Sequence, residues 1–214
     1  MLRSEQVAGP AGELEALHRL PEHGVVPVAA ALLCHPHPLH GGTMHSRVVF
    51  HVARALQDIG IATLRFNFRG VGRSTGRHDD GRGEVEDARA ALGHLERLHP
   101  GLPLLIAGHS FGAWVGLRAG LDDARVARLI GVGVPLRYYE FDFLAAARPR
   151  VLLIQGEGDA FGSGADIIRL DASLGPRVET VVVPGADHFF TGHLDVLRAL
   201  IQDRIPPVRL DPAS

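Results

Sequence analysis

The sequence predicts an α/β protein: a mostly parallel sheet of about seven to eight strands with helices on both faces. Three observations carry that expectation. Short, wholly apolar runs such as residues 29–34 fit strands covered on both sides. Between them lie stretches whose apolar residues recur at helical spacing. The two kinds of segment alternate at the length that parallel strands with right-handed crossovers require. A chain of 214 residues fits one domain, 1–214, and can bury a core without a disulfide or metal staple.

The elements follow in order. Gly9-Pro10-Ala11-Gly12 is a turn signal between two short alternating segments, so an antiparallel hairpin is expected at the start. Residues 29–34 form the next strand. After a loop rich in His, Pro and Gly, Ser46 is placed to cap a helix with Val48, Val49, Val52 and Leu56 on one face, closed by Gly60. A strand at 61–68 and a polar, Gly-rich loop at 70–83 precede an amphipathic helix at 84–98, marked by Val85, Ala88, Leu92 and Leu95. Strand 102–108, helix 111–121 and strand 128–134 come next. Strands at 151–156 and 178–183 flank a helical stretch at 166–174. Leu194, Leu197, Ile201 and Ile205 mark a last helix, stopped by Pro206-Pro207.

Composition narrows the class. Hydrophobic residues make up 46% and charged residues 21%, as in a folded chain. All 22 basic residues are Arg, and with 24 acids the net charge is −2, so no electrostatic case for nucleic acid exists. No run approaches the roughly 20 apolar residues that span a bilayer, and the opening Met-Leu-Arg-Ser-Glu-Gln has no secretory leader pattern. With one cysteine, Cys34, the expected setting is the reducing cytoplasm, away from membranes.

In open α/β sheets, chemistry gathers at the C-terminal ends of the strands. Gly108-His109-Ser110-Phe111-Gly112 is a G-x-S-x-G pentapeptide between an apolar strand and a helix. Such a bend exposes the serine oxygen at a helix N-terminus; the plain alternative is a tight turn with a satisfied hydroxyl. A nucleophilic serine needs a base, and the base an orienting acid. Of thirteen histidines, His188 follows the last strand, where a loop can swing its imidazole over the sheet edge. Asp159 follows the strand before it. Glu157 is a rival two residues earlier, and Asp187 a weaker one, because a sequence neighbour rarely points back at the imidazole. The bland readings are a loop-capping carboxylate and a surface histidine.

The chain resembles the α/β-hydrolases, and more narrowly the small, lid-less, dienelactone-hydrolase-like bacterial esterases. The resemblance rests on His35-Pro36-His37-Pro38 with Gly41-Gly42-Thr43-Met44, on Arg65-Phe66-Asn67-Phe68-Arg69-Gly70-Val71-Gly72, and on the elbow at Ser110. Gly156-Glu157-Gly158-Asp159 and Asp187-His188-Phe189-Phe190 complete it. True dienelactone hydrolases carry a cysteine at the elbow; here it is Ser110, and Cys34 lies on another strand. The resemblance implies a serine hydrolase with triad Ser110, Asp159 and His188. It would cleave small carboxylic esters, thioesters or lactones through an acyl-enzyme, with no cofactor and no metal. It also implies an oxyanion hole made by the backbone N–H groups of Phe111 and His37, with Leu39 the fallback because Pro36 and Pro38 have none.

Other readings stand beside it. The same triad serves acyltransferases and perhydrolases. His35-x-His37-x-x-His40 has the spacing of some metallohydrolase motifs, although two prolines constrain it and Leu39 stands where their aspartate would. A non-catalytic binding module of the same fold normally lacks a triad member. Arg69 and Asn67 end a strand beside the expected cleft, where Arg69 would suit a substrate carboxylate or, more blandly, anchor the 70–83 loop. Only the sixteen residues 135–150 separate two strands where lids commonly enter, so no cap domain fits. Tyr138, Tyr139, Phe141 and Phe143 there either line the acyl side of the cleft or pack on the sheet edge.

Overall fold

The apolar runs do become strands, and all of them join one sheet. The structure is a computed structural model that describes residues 2–22 and 24–205, so the proposed Pro206-Pro207 helix stop lies outside the described residues. Strands β1 (Leu2–Gly9) and β2 (Gly12–Arg19) form the expected hairpin, and β2 also pairs antiparallel with β4 (Ile61–Phe66). The rest is parallel: β3 (Ala29–Cys34), β5 (Leu104–His109), β6 (Val126–Val132), β7 (Arg150–Gly156) and β8 (Val178–Val183). The sheet order is β1-β2-β4-β3-β5-β6-β7-β8. This is the α/β-hydrolase fold.

Each central strand alternates its side chains between two cores. On β3, Ala30, Leu32 and Cys34 face one cluster while Ala29, Ala31 and Leu33 face the other. The first core is closed by α2 (Arg82–Leu98), α3 (Phe111–Gly120) and Ile167 of α4 (Gly164–Asp171). The second is closed by α1 (Arg47–Asp58) and α5 (Leu194–Arg204). With both faces covered, β3, β4 and β5 are buried along their whole length.

Boundaries moved where side chains captured backbone groups. The strand expected at 61–68 ends at Phe66, because the Asn67 N–H turns to the Glu15 carbonyl and the Phe68 N–H to the His35 ring. Helix α2 begins two residues before the expected start. Buried Glu84 sits at its third position and accepts the N–H groups of Gly81 and Asp79, at 2.8 and 3.0 Å. Ser46 is the N-cap residue of α1, but its hydroxyl accepts the Thr43 N–H instead of a helix N–H. Between β6 and β7 there is only a short 3-10 turn, Asp142–Ala146, and no cap domain. Among the described residues, no helix is long and apolar enough to cross a membrane.

Candidate active site

The elbow lies where β5 turns into α3. Ser110 has φ 57 and ψ −125, a strained backbone for a residue with a side chain. Its N–H is held by the Val132 carbonyl at 3.0 Å. The flanking glycines are required by proximity: a Cβ on Gly108 would stand 2.2 Å from the Gly112 carbonyl oxygen. One on Gly112 would stand 2.4 Å from the Cys34 and His35 oxygens. Strand, turn and helix therefore approach closely only with this spacing. Phe111 opens α3, and the first N–H groups of a helix have no acceptor within it. Its amide is thus available beside the serine.

Behind the elbow, the structure joins the two other residues read from the sequence. His188 Nδ1 lies 2.8 Å from Asp159 Oδ2, both side chains buried. The Asp159 carboxylate also accepts the Gln155 amide at 2.8 Å and, through Oδ1, the Phe161 N–H at 2.8 Å. The His188 ring packs 4.9 Å from that of His109, the residue before Ser110, and lies between Phe161 at 4.4 Å and Phe189 at 5.1 Å. The rival acids are engaged elsewhere. Exposed Glu157 accepts the Gly185 N–H at 2.9 Å. Asp187 accepts the N–H groups of Phe189 and Thr191, folding its own loop.

The loop after β3 is built around His35, which is fully buried. The Phe68 N–H donates to its Nε2 at 3.0 Å, so the ring proton is on Nδ1 and donates to the Pro36 carbonyl at 2.7 Å. Both nitrogens are spent on fixing the loop, which removes His35 from any His35/His37/His40 metal set. His37 Nδ1 in turn accepts the Leu39 N–H at 3.2 Å, so the fallback oxyanion donor is occupied too. Among the described residues, no group of three or more His, Cys, Asp or Glu is arranged to hold a metal ion. The His37 ring packs at a tilt 4.8 Å from that of Phe111, which brings the two expected oxyanion residues side by side.

Burial holds His35 and His109 neutral, pushing their imidazoles down to about 4 and about 3. The unfolded chain takes up protons near pH 6.5 that the folded one refuses, so stability is full above that pH and falls as pH drops toward 4. His35 alone should cost about 2 kcal/mol between pH 7 and pH 4.5. Urea midpoints measured across that range check this. An unchanged midpoint would mean the ring is protonated in the folded state.

The remaining candidates divide. Arg69 is not free for a substrate: Nε and Nη2 grip Asp87 at 2.9 and 2.7 Å, and its own N–H joins the same fully buried carboxylate. It anchors the loop to α2, and its partner is this carboxylate rather than the backbone carbonyls expected of a loop anchor. Asn67 is likewise structural, accepting the Met44 N–H and donating to Glu15, each at 2.8 Å. Tyr139 packs at a tilt on Trp114 at 4.7 Å, half-buried beside Phe111. Tyr138 is 67% exposed and leans on Phe161, so it stands at the rim above His188. Phe141 is buried in the core, as the sheet-edge reading expected. Sequence reasoning weighed His35 only as a possible metal ligand and gave no role to His109, Gln155 or Phe161; only the proximity of the last two to Asp159 was a signal.

Comparison with known proteins bears on the family and the fold. The family described as serine aminopeptidase, S33, matches residues 37–141. The uncharacterized protein RP471 of Rickettsia prowazekii (strain Madrid E) is 34% identical over 204 residues, covering 91% of this chain and 85% of that protein. An α/β serine hydrolase homologue from Coxiella burnetii is 39% identical, with a TM-score of 0.89 over 95% of this chain and 97% of that one. XC6422 from Xanthomonas campestris, described as an α/β serine hydrolase without lid, is 36% identical, with a TM-score of 0.87 over 94% and 92% of the two chains. Strained elbow, sheet order and these likenesses converge: the chain belongs to the α/β-hydrolase superfamily, among its serine hydrolases.

Proposed function

We propose that the protein is a carboxylesterase-like enzyme that cleaves small acyl esters, with thioesters and lactones in the same class, through an acyl-enzyme on Ser110. The observation that carries this reading is the 2.8 Å contact between His188 and buried Asp159 beside the elbow. Ser110 Oγ attacks the carbonyl carbon while His188 Nε2 takes its proton. Asp159 keeps the other ring proton on Nδ1 and stabilises the imidazolium. The N–H groups of Phe111 and His37 receive the developing oxyanion. His188 returns the proton to the leaving oxygen, then takes one from the water that releases the acid. The single buried cysteine and the small net charge of −2 suit a cytoplasmic setting.

Substrate size follows from the short connection over the cleft. With only a 3-10 turn between β6 and β7, little apolar surface can close over a long chain, and each methylene left in water forgoes about 0.8 kcal/mol. Leu39, Tyr138 and Phe189 are exposed apolar side chains that enclose nothing. We expect kcat/KM for p-nitrophenyl esters from acetate to palmitate to peak at short chains, with no jump when substrate passes its solubility limit. An optimum at palmitate, or activation at the emulsion, would overturn the size argument. No turnover of any ester, thioester or lactone would overturn the function.

A further inference from the structure

His109, the first variable residue of the elbow, takes no part in the steps above, yet its surroundings are specific. The side chain is buried, and Nε2 lies 3.0 Å from the main-chain oxygen of His188, 79 positions along the chain. A carbonyl only accepts, so the proton sits on Nε2 and Nδ1 keeps a bare lone pair, which has no partner. At the same edge of the ring Gly133, at φ 56, makes the room. A Cβ there would come within 3.3 Å of the His109 ring and of the same His188 oxygen. The Nε2 edge of the ring thus meets both the end of β6 and the loop that bears the base.

An imidazole is a poor filler for such a space, because one buried nitrogen stays unpaired. An apolar side chain of equal volume would avoid that cost. What the imidazole adds is a single donor aimed at the main chain of His188, the residue read as the base.

We propose that His109 is a positioning residue: its Nε2–H holds the backbone of His188 and ties the base to the turn that carries the nucleophile. Asp159 grips the imidazole at Nδ1, fixing tautomer and ring rotation. His109 fixes where the main chain stands, so base and nucleophile are set from one rigid element. The inference rests on the reading of His188 as the base.

The test compares His109→Leu, which keeps bulk and loses the donor, with His109→Gln, whose amide nitrogen can reach the same oxygen. A misplacement near 1 Å costs about 10²-fold. With p-nitrophenyl butyrate, His109→Leu should therefore lose on the order of 10- to 100-fold in kcat with KM nearly unchanged. His109→Gln should recover most of it, and fluorophosphonate labelling of Ser110 should slow and recover in parallel. Wild-type kcat in His109→Leu, or a folded His109→Gln no better than a folded His109→Leu, overturns the proposal. If neither variant folds, nitrogen NMR of the wild type decides: a neutral ring protonated at Nε2 at pH 5 supports it, and a charged ring or a proton on Nδ1 overturns it. Ser110→Ala and His188→Ala run alongside. Active His109→Leu beside inactive controls removes this inference alone, whereas active controls remove the enzymatic reading itself.

Discussion

Ser110→Ala should lower kcat by on the order of 10⁴-fold or more while leaving the fold intact, because it deletes the atom that bonds to the acyl group. The fold survives because the strained turn depends on Gly108 and Gly112 and on the Ser110 N–H to the Val132 carbonyl, none of which involves the hydroxyl. Alanine at φ 57 carries the same backbone cost as serine. A fluorophosphonate should label the wild type once, at Ser110, and the alanine variant not at all. Cys34 should stay unlabelled in both: it lies inside the core beneath α3, and burial drives its thiol far above the usual range, so no thiolate forms. Peptide mapping of the adduct and melting curves of both proteins decide the matter. Undiminished turnover in a folded Ser110→Ala would remove the nucleophile and with it the mechanism.

The elbow was legible because its signal is local: two glycines, a serine and a switch from strand to helix sit within a few residues. The hairpin at Gly9–Gly12 and the doubly buried β3 were legible for the same reason. Asp159 and His188 needed more, since thirteen histidines and three nearby acids offered themselves. Position after a strand chose among them, and the contact at 2.8 Å agrees with that choice. The other histidines could not be sorted by pattern. Whether a histidine is neutral, and which nitrogen carries the proton, depends on partners far along the chain, such as Phe68 for His35 and the His188 carbonyl for His109. Arg69 misled for the same reason. A strand-end arginine beside a cleft suits a substrate until Asp87, 18 residues on, is seen to occupy its fork. Element ends shifted by a residue or two where one side chain, Glu84 or His35, captured an amide that no hydrophobic period reports.

Asp159→Asn should cost about 10⁴-fold in kcat, the largest loss expected outside the nucleophile itself. The carboxylate faces donors on every side: Oδ2 receives His188 Nδ1–H and the Gln155 amide, and Oδ1 receives the Phe161 N–H. An asparagine has one oxygen for this ring of donors and must turn its NH₂ toward one side. Facing His188, the NH₂ donates to Nδ1 and forces the ring proton onto Nε2, where the base should be bare. Facing Phe161, it opposes a backbone N–H and leaves two donors in contact, which the buried site penalises by about 1–3 kcal/mol. In either arrangement the negative charge that stabilises the imidazolium is gone. Glu157→Gln should change kcat by less than about threefold, because its exposed carboxylate holds only the Gly185 N–H. Steady-state kinetics on one short ester, with melting curves to exclude unfolding, compare the two variants directly. If Glu157→Gln proves the more damaging change, the acid has been assigned to the wrong residue, and the contact between Asp159 and His188 would serve the loop rather than the chemistry.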